Sequence, residues 1–243
     1  MKPLHRAPSW RPYVLVNMAM TADGKTATAN RAVSSFGSPA DEENLYRLRA
    51  TVDAVMNGAR TADLNAITMG PGAEKWRRLR KRRGLSEFNL RIIVSGSGSV
   101  DPEAAVFRDR RSRLIILTRE GLTTARLKKL RSVADEVFCS GEIELDLPAA
   151  LRWLRTKWKV KRLLCEGGGS LNDAMFLAGL VDELNLTICP VISGGSGAAT
   201  ISDGRGFQNL ASACRLTLVS SKPKQGDLFL RYVVIPKSKT GVE

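Results

Sequence analysis

Apolar residues recur along the chain in two rhythms, short continuous runs and longer stretches at helical spacing, and their alternation sets the expected fold. Tyr13 to Met20 (YVLVNMAM) predicts a buried strand, followed by a turn at Asp23-Gly24. Ser38-Pro39-Ala40-Asp41 then opens a helix. Ser38 is placed as N-cap, Pro39 in the first turn, Asp41 three residues past the cap, and Leu45 and Leu48 down one face. Asp53 to Asn57 is a short strand ending at Gly58. A basic helix from about Ala73 stops at Gly84, a residue suited to the left-handed cap position. Strands follow at Leu90 to Val94 and Leu114 to Leu117, a helix at Thr123 to Val133, and a strand at Glu136 to Cys139. Further on the pattern predicts helix over Pro148 to Trp158, strand over Arg162 to Cys165, helix over Ser170 to Gly179 with Ser170 as cap, and strand over Glu183 to Ile192. Arg215 to Ser220 and Leu228 to Ile235 flank a KPKQGD turn and predict an antiparallel hairpin. The alternation places the chain in the α/β class, as a three-layer domain with a mostly parallel central sheet and an antiparallel C-terminal hairpin. Residues 13–236 form the expected single domain, between tails 1–12 and 237–243.

Length and composition fit that reading. The 243 residues, 43% of them hydrophobic, suffice for one large domain or two small ones at roughly 100 to 200 residues per domain. No apolar run approaches the roughly 18 residues of a membrane helix, and the start MKPLHRAPSWRP has no apolar export core, so a cytoplasmic protein is expected. The four cysteines, Cys139, Cys165, Cys189 and Cys214, are scattered and three adjoin strands, which fits buried, reduced thiols. His5, in the tail, is the only histidine. This excludes Ser-His-Asp and Cys-His catalysis and a histidine-based zinc site, so no metal is expected. Carboxylates, amides, hydroxyls, Lys and Arg remain, or a cofactor with its own reactivity.

The net charge, 38 − 24 = +14, suggests a polyanionic partner, but it is local. Lys75 to Arg83 holds seven basic residues and Arg152 to Arg162 six, neither with an acid; without those 13 charges the chain stands at +1. Two solvated helix faces explain such runs. Attraction of phosphate-bearing small molecules is a second reading, and nucleic-acid binding a third that no helix-turn-helix, zinc-finger or RNP-type pattern supports.

Three strand ends carry candidate chemistry. In KRLLCEGGGSLNDAMF a strand ends in Glu166-Gly167-Gly168-Gly169 and a helix begins. Glycines admit close backbone approach, and a helix start favours phosphate or pyrophosphate. Glu166 would face the crevice at the strands' carboxyl ends. Gly58-Ala59-Arg60-Thr61 is a second corner, equally readable as a plain turn, and Ser95-Gly96-Ser97-Gly98-Ser99 a third, with hydroxyls for an adenosine ribose or its phosphate but better read as a flexible loop. Asn17, polar within an apolar run, is either a structural bracket or a ligand contact.

Together NMAMTADGKTA, LYRLRATVDAVMNGARTA and LLCEGGGSLNDAMFLAGLVDELNLTICPVISGG resemble the pyrimidine reductases of riboflavin biosynthesis, over about Tyr13 to Ile235. The resemblance implies a dihydrofolate-reductase-like fold and a homodimer. It also implies hydride transfer from NADPH to the anomeric carbon of a ribosylaminopyrimidine 5′-phosphate, a phosphorylated small-molecule substrate. It puts Thr61, Gly168, Gly169, Ser170 and Leu171 on the cofactor side, with Asn65 in the place of an aspartate there, Arg49, Ser34 and Ser35 on substrate, and Glu166 and Asn17 at the reacting centre; Gly167 of the glycine loop and Ser95 of the third strand end join the cofactor candidates from the residues themselves. Asn17 is similar to the archaeal and fungal reductases, where bacterial bifunctional enzymes have lysine. The deaminase motifs H-x-E and P-C-x-x-C are missing here. One departure stands out: after GxxT the family continues A-D-D-P toward a phosphate-binding arginine, whereas this chain reads Ala62-Asp63-Leu64-Asn65. That leaves open a same-fold reductase of another small heterocycle.

Overall fold

The computed structural model describes residues 8–30, 36–64 and 68–236. The chain runs β1 (Tyr13–Thr21), α1 (Pro39–Arg49), β2 (Ala54–Gly58), α2 (Ala59–Leu64), α3 (Glu74–Arg82), β3 (Leu90–Val94), α4 (Ala105–Arg108), β4 (Leu114–Thr118) and α5 (Thr124–Val133). It continues β5 (Glu136–Cys139), α6 (Leu147–Thr156), β6 (Arg162–Cys165), α7 (Gly169–Leu177), β7 (Glu183–Cys189), β8 (Leu216–Lys224) and β9 (Asp227–Val234). The strands form one sheet in the order β5-β4-β3-β2-β6-β1-β7-β9-β8. All pairings among β1 to β7 are parallel, while β9 is antiparallel to both β7 and β8.

Continuous apolar runs become the inner strands because a parallel sheet is covered on both faces. Val14, Val16, Met56 and Leu163 point to the layer of α6 and α7, against Leu151, Leu154 and Met175. Leu15, Val55 and Leu164 point the other way, to Leu48 of α1, Ala62 of α2, Phe107 of α4 and Leu130 of α5. The three-layer mixed α/β arrangement with its C-terminal hairpin is the one the sequence predicted.

Local departures have physical reasons. β8 and β9 run into the predicted six-residue turn, leaving Gln225 (φ 53°) and Gly226 (φ 87°) as a two-residue reversal that matches strand twist. Pro223 fits because β8 is an edge strand. β7 stops at Cys189, before Pro190. Ser170 is not the α7 cap: Gly168 holds that position, with no side-chain bond, and Ser170 lies in the first turn. The basic α3 is not solely a solvated face. Arg80 is buried and donates to the carbonyls of Arg49 (2.7 Å), Val52 (2.6 Å) and Ser86 (2.8 Å), its guanidinium lowered to about 10 by burial. Together with Asn89 Nδ2 (2.9 Å to the Arg49 carbonyl), it fixes the C-terminal end of α1.

Candidate functional site: a crevice at the carboxyl ends of the strands

Register brings three polar side chains into line. Val16 and Met56 both lie in register with Cys165, so the next residues, Asn17, Asn57 and Glu166, stand side by side across β1, β2 and the end of β6. Adjacent strands are about 4.8 Å apart, and alternation turns all three toward the α1 layer. Asn185, in register with Asn17, extends the row into β7.

Glu166 is held from two sides. Arg49, from the last turn of α1, donates Nε to Oε1 (2.7 Å) and Nη2 to Oε2 (2.8 Å), and Asn57 Nδ2 reaches Oε2 at 3.2 Å. The remaining Arg49 nitrogen, Nη1, donates to the Gly70 carbonyl (2.9 Å). Burial is the largest single influence and lowers the Arg49 guanidinium, but the Glu166 charge and hydrogen bond, with Tyr46, together outweigh it and the net shift is upward. The Oδ1 atoms of Asn17 and Asn57 are buried without a hydrogen-bond partner. Two orphaned acceptors flanking a carboxylate suit a ligand that brings N–H or O–H donors.

The glycine loop forms the opposite wall. Gly167 (φ +81°) precedes a cis peptide to Gly168, and its carbonyl accepts from the Gly58 N–H at 2.7 Å. A Cβ at Gly167 would meet Met18 Sδ at 2.8 Å, one at Gly168 would meet Thr61 Oγ1 at 2.9 Å, and one at Gly169 would meet the Thr200 carbonyl at 2.8 Å. The loop is therefore glycine because β1, α2 and the 200–206 segment close on it. The first-turn N–H groups of α7 have no intrahelical acceptors and carry the positive end of the dipole. Asp173, on the same helix, anchors the 200–206 segment through Ser202 Oγ (3.1 Å) and the Gly206 N–H (3.4 Å).

These groups border a crevice of about 1530 Å³ above the strand ends. Of the residues singled out from sequence, Thr61, Ser95, Glu166, Gly168, Gly169, Ser170 and Leu171 line it. Gly167 and Arg49 stand behind that wall, and Asn17 sits in the row beside Glu166. Ser95 lines it with its hydroxyl already committed to the Ser99 carbonyl (2.8 Å). Ser34, Ser35 and Asn65 lie outside the described residues. Sequence reasoning missed Asn57, whose signal is a polar residue ending an otherwise apolar strand. It also passed over Asp41, read only as a helix-start residue. Among the described residues, no group of three or more His, Cys, Asp or Glu is placed to hold a metal ion.

An open, mostly parallel sheet that gathers a glycine loop, a helix start and a clamped carboxylate at its strand ends defines a ligand-binding α/β domain. The chain belongs to the family of RibD C-terminal domains, whose model matches residues 12–230. It is 35% identical over 226 residues to the 2,5-diamino-6-ribosylamino-4(3H)-pyrimidinone 5′-phosphate reductase of Methanothermobacter thermautotrophicus, covering 92% of this chain and 99% of that one. The Aquifex aeolicus reductase of the same name is 32% identical over 234 residues, with 93% and 98% covered. Among solved structures, a pyrimidine reductase-like protein of Corynebacterium diphtheriae superposes with a TM-score of 0.75 at 23% identity, covering 92% of each chain. RibD of Acinetobacter baumannii gives 0.75 at 20% identity, with this chain spanning 58% of its length.

Proposed function

We propose that the chain is an NADPH-dependent reductase of riboflavin biosynthesis that converts a ribosylaminopyrimidine 5′-phosphate to the ribitylamino form. The proposed substrate is the pyrimidine that still carries its 2-amino group, which the names of the two reductases above support. The observation that carries the reading is that one segment, Glu166 to Leu171, supplies both a clamped carboxylate and an anion-receptive helix start to the same crevice. The residues fit a dinucleotide: side-chain-free Gly168 and Gly169 allow a pyrophosphate to approach the first turn of α7, with Thr61 beside it. When bound, NADPH supplies the hydride. The protein's share is to position and polarise the acceptor, and orientation of this kind is worth up to about 7 to 11 kcal/mol. Glu166 orients donor groups of the substrate and balances positive charge on the reacting carbon, while Asn17 and Asn57 offer acceptors beside it. Arg60 and Arg205, the arginines lining the crevice among the described residues, are the candidates for the substrate phosphate.

The protein acts in the cytoplasm as a homodimer. β8 supports the dimer, since this edge strand exposes Leu216, Leu218 and Val219. The test is a direct assay with NADPH and the two pyrimidine phosphates, amino-bearing and deaminated. Turnover of the amino-bearing compound is expected; NADPH binding with reduction of neither would favour a reductase of another heterocycle.

A further inference from the structure

Reduction at the anomeric carbon consumes a proton as well as a hydride, and among the described residues no histidine lines this crevice to provide it. The carboxyls that line it differ in what already occupies them. Glu166 is fixed as an ion-pair partner by Arg49. Asp173 and Asp203 are spent on the 200–206 segment, Asp203 accepting from the Thr200 N–H (2.9 Å) and Oγ1 (2.6 Å). Asp146 caps α6 through the Ala149 N–H, and Glu144 is an exposed partner of Arg205. Asp63 is also raised, by burial and the Asp101 charge, but it sits on α2 at the far side from α1, where it accepts from the Asp101 N–H (3.0 Å) of the loop after β3.

Asp41 is different. It lies in the first turn of α1, the helix whose last turn carries Arg49, and lines the crevice beside Gly37, where a Cβ would come within 2.7 Å of its Oδ2. Thr187 on β7 donates to it. Asp227, at the start of β9, faces it and is itself buried, accepting from the Ser38 N–H at 2.9 Å. The other ionisable group at this spot is the Cys189 thiol, which burial and the two carboxylates push up to about 12, so it stays protonated. Burial and the Asp227 charge both raise the Asp41 carboxyl, with Thr187 opposing, and the net direction is upward.

We infer that Asp41 is the general acid of the reaction, giving its proton to the ribose ring oxygen. This rests on the reductase reading above. In the step, C1′ gains a C–H bond from the hydride of the bound dihydronicotinamide, the C1′–O4′ bond breaks with its electron pair going to O4′, and O4′ takes the proton from Asp41. The carboxylate left behind is reprotonated from water. Activity is therefore present below the Asp41 pKa and lost as pH rises through it.

The test combines kinetics with a direct titration. Asp41→Asn should lower kcat about 10²-fold or more, the usual share of a positioned acid, with NADPH affinity by fluorescence within a few fold, which also shows that the variant folds. The alkaline fall of kcat should vanish in this variant, and Asp41→Glu should restore part of the rate and the fall. Asp227→Asn should move the fall to lower pH, and carboxyl-carbon NMR should show Asp41 titrating above an ordinary aspartate. A wild-type rate in Asp41→Asn, or a reduced rate with an unaltered pH profile, overturns the assignment and leaves the reductase reading standing. A wild-type protein that reduces no ribosylaminopyrimidine overturns both.

Discussion

Removing Arg49 strands a carboxylate in a place built for an ion pair. The Arg49 and Glu166 side chains are 5% and 9% exposed and share two hydrogen bonds, so Arg49→Ala leaves Glu166 desolvated with only Asn57 donating to it. Breaking a buried pair in this way costs about 3 to 5 kcal/mol, against 0 to roughly 1 for an exposed pair. At 2 to 4 °C per kcal/mol for a chain of this size, the melting temperature should fall by roughly 6 to 20 °C. Glu166→Gln should cost less, because the amide still accepts from Arg49 and no anion is stranded. Urea and thermal unfolding of both single variants and the double variant, with and without NADPH, give the coupling energy. The geometry also bears on activity: Arg49 spends its guanidinium on Glu166 and the Gly70 carbonyl, so the variant should lower the hydride-transfer rate by misorienting Glu166 rather than act through the substrate constant alone. A destabilisation below about 1 kcal/mol would refute the reasoning, since it would put the pair among exposed ones.

Gly168→Asp should weaken NADPH binding at least about tenfold, as a lost charge-assisted contact of 1.5 to 3 kcal/mol requires, because its Cβ meets Thr61 Oγ1 and its charge faces the start of α7; an unchanged Kd by fluorescence titration would remove the loop from the cofactor site. Cys165 and Cys189, both pushed up to about 12 with burial the leading cause, should resist iodoacetamide at neutral pH until the protein is unfolded, and rapid native labelling by mass spectrometry would contradict their burial. Leu218→Lys on the exposed edge strand should shift the proposed dimer toward monomer in sedimentation; a mass unchanged from the wild type would take the interface away from β8.

The sequence was most legible where local signals and burial agree. β3 and β6 lie at the residues their apolar runs mark, because inner parallel strands are bounded by where the buried run ends, and the half-buried edge strand β5 also keeps its predicted bounds. Ser38 is the predicted cap, its side chain accepting from the Ala40 N–H, while Thr123, predicted as the first helical residue, is the cap of α5 and accepts from the Arg126 N–H. The α7 start was less legible: Ser170 looks like a cap, but the tight passage of Gly167 and Gly168 places the cap two residues earlier. Arg80 was illegible among six other basic residues, since only tertiary packing distinguishes a guanidinium that meets three carbonyls from one that meets water. Asn57 and Asp41 escaped for a related reason, as their significance comes from register across β1, β6 and β2 and from the docking of α1 on β7 and β9, neither of which a one-dimensional pattern contains.

The central claim is that this crevice carries hydride from NADPH to the ribose carbon of an aminopyrimidine phosphate. Single-turnover reaction of the purified protein with NADPH deuterated at the transferable nicotinamide position and 2,5-diamino-6-ribosylamino-4(3H)-pyrimidinone 5′-phosphate tests it most directly. The account predicts a ribitylamino product with one deuterium at C1′ and a matching loss of dihydronicotinamide absorbance, both strongly reduced in Glu166→Gln. Product without deuterium, or no product from a protein that still binds NADPH, would contradict it.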